Sequence, residues 1–266
     1  MRKILWAIML CAVLVVPCAA RMTTVVVGGS VASSAPQNYV RYITENTADF
    51  NGITYVACGS TDGCSWTGVA DTQLDQAHPT WNYGSTTTLS NSTYDASNWA
   101  MPLIKFTGLS NIPSGATVTS VTFGWYIDSR SHAQTYDNNI RRLLRDWTVG
   151  TQNGAVATND SPNSTTWNNY SGSSAWGTAG AQADTDRSST VSGVISLSAA
   201  PTWSTVTDTS GQLLADVQAW VSGTYSNYGW WTLYSGTPNQ SRYYIIRSSN
   251  HATTSTRPYL KVEYTY

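Results

Sequence analysis

"TVTSVTFGWYI" (Thr117–Ile127) alternates between polar and apolar residues along most of its length. Thr119, Val121, Phe123, Trp125 and Ile127 fall on one face, and Ser120, Thr122, Gly124 and Tyr126 on the other. A period of two marks a strand with one face in a core and one toward water, whereas a helix repeats its apolar residues three and four apart. "RPYLKVEYTY" (Arg257–Tyr266) repeats the device, with Leu260, Val262 and Tyr264 inward and Lys261, Glu263 and Thr265 outward. "MPLIKFTGL" (Met101–Leu109), "NNIRRLLRDW" (Asn138–Trp147) and "RYYIIRSS" (Arg242–Ser249) read as further strands. Turn signals such as Pro113-Ser114-Gly115 separate them.

One stretch breaks the rhythm. In "DTSGQLLADVQAWVSG" (Asp208–Gly223), Leu213, Leu214, Val217, Trp220 and Val221 recur at helical spacing. Asp208, Thr209 or Ser210 can cap the start and Gly223 can end it. Many strands with one short helix place the chain in the all-β class, as a β-sandwich.

Ahead of the regular region, Met1-Arg2-Lys3 precedes an apolar run from Ile4 to Val16, then Pro17 and Cys18-Ala19-Ala20. This is the layout of a secretory signal peptide cleaved after Ala20. The run is too short to cross a membrane, which takes roughly 20 apolar residues, and no later segment reads as a span. The expected organisation is a signal peptide at 1–20, an irregular N-terminal extension at 21–69 and a β-sandwich domain at 70–266. Within the extension, Tyr39–Ile43 and Ile53–Ala57 read as short strands, and the rest as a docking segment. The product is then secreted or held at a cell surface.

Export removes Cys11 and Cys18 and leaves Cys58 and Cys64 in "ACGSTDGCSW". In an oxidising compartment they read as a disulfide closing a small hairpin, worth roughly 2 kcal/mol at most. A metal site would need further ligands, and His78, His132 and His251 lie far apart without pattern. Charged residues make up 11% of the chain and the net charge is −1, so no nucleic-acid footprint or polybasic membrane patch shows. With 12 Trp and 16 Tyr against 3 Phe, the chain favours amphipathic rings, which suit strands, interfaces and sugar contacts.

Motifs for catalysis are missing: there is no G-x-S-x-G elbow, H-E-x-x-H, P-loop or dinucleotide fingerprint. The expectation is a non-enzyme, although two carboxylates poised across a cleft could still cleave a polysaccharide. Asp184 and Asp186 in "GAQADTDR" form the closest acidic pair. They could hold a structural Ca²⁺ with backbone carbonyls, or simply be a solvated loop. Asp71 is a similar candidate; no other cofactor is expected. Arg141, Arg142 and Arg145 either clamp carboxylate or sulfate groups or pair with Asp137 and Asp146, and ordinary ion pairing is the favoured reading.

Tryptophans carry the sharpest question. Trp125, Trp147 and Trp220 sit on apolar faces and read as core; Trp167 and Trp176 read as pins for a Ser/Asn/Gly-rich loop. In "SNYGWW" (Ser226–Trp231), Trp230 and Trp231 must point to opposite faces of a strand. Trp231 and Leu233 read as core. Trp230, Thr232 and Tyr234 form a mixed aromatic and polar face, which either lies under a neighbouring segment or stacks a sugar ring. Trp230, Tyr234, Trp99, Trp81 and Tyr126 are the candidate carbohydrate-binding residues.

The order of segments is also distinctive. "ADTQLDQAHPTWNYGSTTTL" precedes "PLIKFTGLSNIPSGATVTSVTFGWYI", then come "IRRLLRDWTVG", "TTWNNYSGSSAWGTAGA", "VQAWVSGTYSNYGWWTLYSG" and "RPYLKVEYTY". From about Asp71 to the C-terminus this resembles the DNRLRE-type domain, or disaggregatase-related repeat, which is grouped with a carbohydrate-binding module family. Asn82-Tyr83-Gly84, Ile104-Lys105-Phe106, Ile112-Pro113-Ser114-Gly115-Ala116, Thr166-Trp167-Asn168 and Pro258-Tyr259-Leu260 carry the resemblance. It implies a jelly-roll β-sandwich on an extracellular protein, and carbohydrate binding in some members. Two departures stand out: few lysines for gripping an acidic glycan, and no attached catalytic domain. The expected function is non-catalytic recognition of an extracellular polysaccharide or cell-surface glycan. The alternative is a structural or adhesion subunit of a cell-surface, matrix or phage virion assembly, with residues 21–69 as its docking arm.

Overall fold

A computed structural model describes residues 35–58, 62–93, 95, 97–157, 164–235 and 242–266. The expected signal peptide and the first part of the extension lie outside them. In chain order the strands are β1 (Asn38–Thr44), β2 (Cys64–Trp66), β3 (Val69–Asp75), β4 (Trp81–Asn82), β5 (Thr88–Thr93) and β6 (Trp99–Phe106). They continue with β7 (Thr117–Arg130), β8 (Tyr136–Arg142), β9 (Ala155–Val156), β10 (Asn169–Ser171), β11 (Ser174–Ala175) and β12 (Gly193–Leu197). The last are β13 (Thr202–Asp208), β14 (Trp230–Tyr234), β15 (Tyr243–Arg247) and β16 (Tyr259–Thr265), with one α-helix, α1 (Gln212–Val221), before β14.

The alternating stretch does become a strand, β7, the spine of the molecule. It pairs with β13 along one edge and with β16 and β15 along the other. This layer runs β13-β7-β16-β1-β2, and a second runs β3-β6-β14-β8-β12, with β5 and β15 joining β6 to β7. Between the layers lie Val121, Phe123, Trp125 and Ile127 of β7, Ile104 and Phe106 of β6, Trp230 of β14 and Leu260, Val262 and Tyr264 of β16. The expected jelly-roll β-sandwich is what forms. No described helix is long and apolar enough to cross a membrane.

One detail of the spine differs from its sequence reading. Thr119 is exposed and Val118 is buried. On β16, Glu263 pairs with Ser120 but Tyr264 pairs with Val118, so Thr119 is an extra residue opposite no partner. Such a bulge reverses the inward–outward phase beyond it. The pattern in β16 follows expectation, with Leu260, Val262 and Tyr264 buried and the residues between them part-exposed.

The helix forms where its spacing places it and lays Leu213, Val217, Trp220 and Val221 on the sandwich core. Asp208 anchors its start, accepting the amides of Ser210, Gly211 and Leu214 at 3.0, 2.6 and 3.0 Å. Burial opposes the charge on Asp208, but these amides hold its carboxyl below the usual range. Gly223 follows the helix at φ +74°, the left-handed turn that glycine adopts without a Cβ clash.

The boundary expected at residue 70 is not a structural one. Residues 36–266 form one compact unit, because β1 pairs with β16 from Asn38↔Thr265 to Thr44↔Tyr259. An unpaired β16 edge would leave a row of backbone donors and acceptors open, and β1 satisfies them. Of the second short strand expected in the extension, isolated bridges remain, Phe50↔Ile53 and Ala57↔Ser65. Cys58 and Cys64 are joined as a disulfide; the Ala57↔Ser65 bridge beside it is parallel, so the loop crosses over rather than closing a hairpin. Further along, Phe50 packs against Tyr259 on the outer side of this layer, ring centroids 5.2 Å apart. Gly124 makes room there, since a Cβ would lie 2.2 Å from the Tyr259 ring.

Candidate functional site

The second layer is buried on both faces, and this decides the tryptophan question. Leu74, Met101, Leu103 and Trp231 point away from the sandwich core into a separate cluster closed by Leu143, Trp147, Trp167, Trp176 and Ala181. Trp231 is core, as its alternation implies. Trp230 is core as well, at 0% exposure. Its Nε1 donates to Asp216 Oδ2 at 3.1 Å, and its ring meets Phe106, Phe123 and Trp220. As a sugar platform Trp230 is therefore ruled out: no face of the ring reaches solvent. Tyr234 is half-buried and stacks on Tyr136, centroids 3.8 Å apart, so its ring is engaged as well.

The remaining candidates separate. Trp99 is half-buried against the outer cluster with its buried Nε1 unpaired. Tyr126 lies on the outer face of β7 against Trp203 and under the Arg247 guanidinium. Trp81, in β4, stacks on His78 with centroids 4.0 Å apart and lies 6.5 Å from Tyr83.

The acidic candidates act within the fold. Asp71 is buried and accepts the Ser249 amide at 2.6 Å and the Ser249 hydroxyl at 3.1 Å. Asp186, also buried, gives its two oxygens to the amides of Gly177 and Thr178 at 2.8 and 3.0 Å, while Asp184 is exposed. Among the described residues, no group of three or more His, Cys, Asp or Glu gathers as a metal site. Of the arginines, Arg142 pairs with Asp216 at 3.3 Å and Arg145 with Asp186 at 3.7 Å, not with the neighbours expected. Arg141 donates to the carbonyls of Ser188 and Ser189.

A site not foreseen lies across the strip β3-β6-β5-β15. Register aligns Asp75 with Ala100, Ala100 with Ser92, and Ser92 with Tyr243, one residue per strand in a single row. Residues directly opposite in a sheet share a face. This row, with Gln73, Ser90, Asn98 and Ile245, lines a hollow of about 460 Å³. A second hollow of about 310 Å³ shares Gln73, Ser90 and Ile245 and reaches Tyr83, Asn153 and Gly154. Tyr243 stands 38% exposed over one side.

At the other side Asp75 is the organising group. Its Oδ1 accepts the Ala77 amide at 2.9 Å, and its Oδ2 meets His78 Nδ1 at 2.9 Å and the Tyr83 hydroxyl. Burial, then the bonded Asp75, push the Tyr83 phenol up, so it stays a neutral donor. These contacts fix the His78 ring on which Trp81 stacks. The result is a groove of hydroxyl, amide and carboxylate groups between Tyr243 and the Tyr83–Trp81–His78 aromatics. Among the described residues that line it, Asp75 supplies a carboxylate.

Of the sequence candidates, Trp81 reaches this groove through His78 and Tyr83, and Trp99 lies between the lining residues Asn98 and Ala100. The doublet "YY" (Tyr243-Tyr244) carried the same signal as "WW": one ring of each pair is forced to the other face, and here the outward one is Tyr243. Comparison with models of known protein families gives no match for this chain, and comparison with curated proteins gives none either.

Proposed function

We propose that the protein is an exported, non-catalytic polysaccharide-recognition β-sandwich, and that the groove across β3-β6-β5-β15 is its glycan site. The observation that carries this reading is the aligned row Asp75–Ala100–Ser92–Tyr243, a polar floor with an exposed aromatic beside it. Polar side chains that fix orientation, set among apolar and aromatic ones, are the general make-up of a ligand cleft. The resemblance to the DNRLRE-type domain supports the same class of function.

Glycan-array binding by the full chain is the direct test. Tyr243→Ala and Trp81→Ala should each weaken retention at least tenfold with an unchanged unfolding midpoint. Undiminished retention in both variants removes the groove from the site. Release of reducing ends from any bound polysaccharide would overturn the non-catalytic assignment.

The second reading, a structural or adhesion subunit, draws on the exposed Val194 of β12 and Tyr225, apolar surface available to another chain. The docking arm proposed for it is shorter than the sequence implied, since everything from Asn38 to Thr44 is committed to the sheet. Monodisperse large assemblies on sizing, with no glycan retained, would favour that role.

A further inference from the structure

Beyond the groove, one end of the sandwich brings two arginines close to a buried phenol. The cause begins in β7. On β15, Ile246 pairs with Ile127 but Ile245 pairs with Ser129, so Asp128 is an extra residue. Like the bulge at Thr119, it reverses the phase of the strand. Ile127 points inward, and so does Arg130, which stands opposite the fully buried Tyr244. Without the bulge, alternation would turn Arg130 outward.

Arg130 is joined there by Arg242, two residues before Tyr244 on the same side of the chain. The Arg242 guanidinium lies over the Tyr136 ring, 5.2 Å from its centroid. The His132 ring lies 4.9 Å from that of Tyr136 and 5.5 Å from that of Tyr244. Burial, then the charges of Arg242 and Arg130, press the His132 imidazole below its ordinary pKa, which favours its neutral form beside the two guanidinium groups.

Arg130 Nη1 donates to the carbonyls of Ala133 and Ser198, and among the described residues every ion pair belongs to other side chains. The stretch Gly236–Ser241 ahead of Arg242 contains no Asp or Glu. Tyr136 is 1% exposed, and the Arg242 guanidinium beside its hydroxyl can only donate to it, so its O–H has no acceptor. Burial raises its pKa, so it remains an O–H donor, although Arg242 close by favours the anion. His132 Nε2 and the carbonyl oxygen of the buried Asn138 side chain are unpaired as well.

A buried donor without an acceptor is costly, so the Tyr136 O–H calls for one. Two guanidinium groups that only donate, beside a phenol O–H that lacks an acceptor, are a set matched to an oxyanion. We propose that this end of the sandwich is an oxyanion-binding site taking a carboxylate or sulfate group, with charge from Arg130 and Arg242 and a hydrogen bond from Tyr136. It is independent of the glycan groove, because Tyr243 faces the opposite side of β15 from Arg242.

The test is calorimetric titration of the full chain with sodium sulfate and with sodium acetate, at an ionic strength held constant with sodium chloride. Saturable binding of either ion is expected, weakened at least tenfold in Arg242→Gln and in Tyr136→Phe. Both variants are checked for an unchanged circular dichroism spectrum, and Tyr136→Phe removes one oxygen only, so it keeps the test valid if Arg242→Gln unfolds. A response to chloride equal to that to sulfate overturns the proposal, as does undiminished binding in both variants. Absence of binding by either ion also overturns it and leaves ordered water as the occupant. A sulfated and an unsulfated form of one oligosaccharide then locate the source. Preference for the sulfated form, lost in Arg242→Gln, assigns the group to a polymer; equal affinity of the two forms beside tight sulfate binding assigns a free ion. Tyr243→Ala should leave sulfate affinity intact, which keeps failure of the groove distinct from failure of this site.

Discussion

Trp230 and Trp231 are neighbours in one strand and both are buried, but they are covered by different kinds of structure. Trp230 lies between two hydrogen-bonded layers, where strands from distant parts of the chain meet it with apolar rings. Trp231 lies beneath an excursion without long strands, contributed by Leu143, Trp147, Trp167, Trp176 and Ala181. That cover is held by side chain to backbone bonds: Trp147 Nε1 to the Tyr228 carbonyl at 2.7 Å, Trp176 Nε1 to the Thr166 carbonyl at 3.0 Å, and Asn82 Nδ2 to the Val149 and Thr165 carbonyls, both at 2.8 Å. Gly180 passes so close to Trp167 that a Cβ would lie 2.7 Å from its ring. Equal burial can thus rest on a periodic scaffold or on an irregular one pinned at a few points. The two should fail differently.

The largest effect is expected for Trp230→Ala. Removing a fully buried aromatic costs about 4 kcal/mol, and here it also takes one donor from Asp216. Urea unfolding should show a single transition moved to lower denaturant; a midpoint within error of the parent would break the contrast on this side. Trp231→Ala should cost about 3 kcal/mol, with amide exchange accelerating first around Thr165–Asp186 while β7 and β16 stay protected. Uniform acceleration across the chain would mean that the two cores are one cooperative unit.

Asp71 offers a finer probe, because it ties β3 of the doubly covered layer to Ser249 after β15. Burial raises its carboxyl to about 7, against the Ser249 amide and hydroxyl that favour the anion. A raised carboxyl means that the folded state holds its proton more tightly than the unfolded chain, whose value is about 3.9. Stability from this group is complete below pH about 4 and declines as pH rises to about 7, by at most about 1.4 kcal/mol per pH unit. Asp71→Asn should flatten urea midpoints over that window; an unchanged slope would mean the carboxyl titrates normally. The smallest effect is reduction of the Cys58–Cys64 disulfide, about 2 kcal/mol at most for so short a loop. Thermal melts with and without reductant should differ slightly, with both cores intact.

How far the sequence went follows the same division. Alternation in β7 and β16 and helical spacing in α1 were legible because each element carries its own period. The bulges at Thr119 and Asp128 were not, since a bulge is a property of two strands in register and only one is seen at a time. Periodicity placed Trp230 and Trp231 on opposite faces correctly. It could not say that both faces were roofed, because the second roof is aperiodic and begins some ninety residues upstream in Leu143. The groove escaped for a related reason: Asp75, Ala100, Ser92 and Tyr243 are far apart in the chain and unremarkable singly. Tyr243 was within reach, had its doublet been read as Trp230-Trp231 was. The boundary at residue 70 failed because β1 shows its purpose only once β16 lies beside it.

That pairing of β1 with β16 has a consequence for how the molecule comes into being. During synthesis β1 emerges early, whereas its antiparallel partner β16 comes last among the described strands. Until β16 is released, β1 can pair only with the three-residue β2, and its other edge stays open. Closing such a long loop is slow, and unpaired strands are prone to aggregate while they wait. The sheet therefore closes late: its pairing between Asn38 and Thr265 forms only once β16 is available.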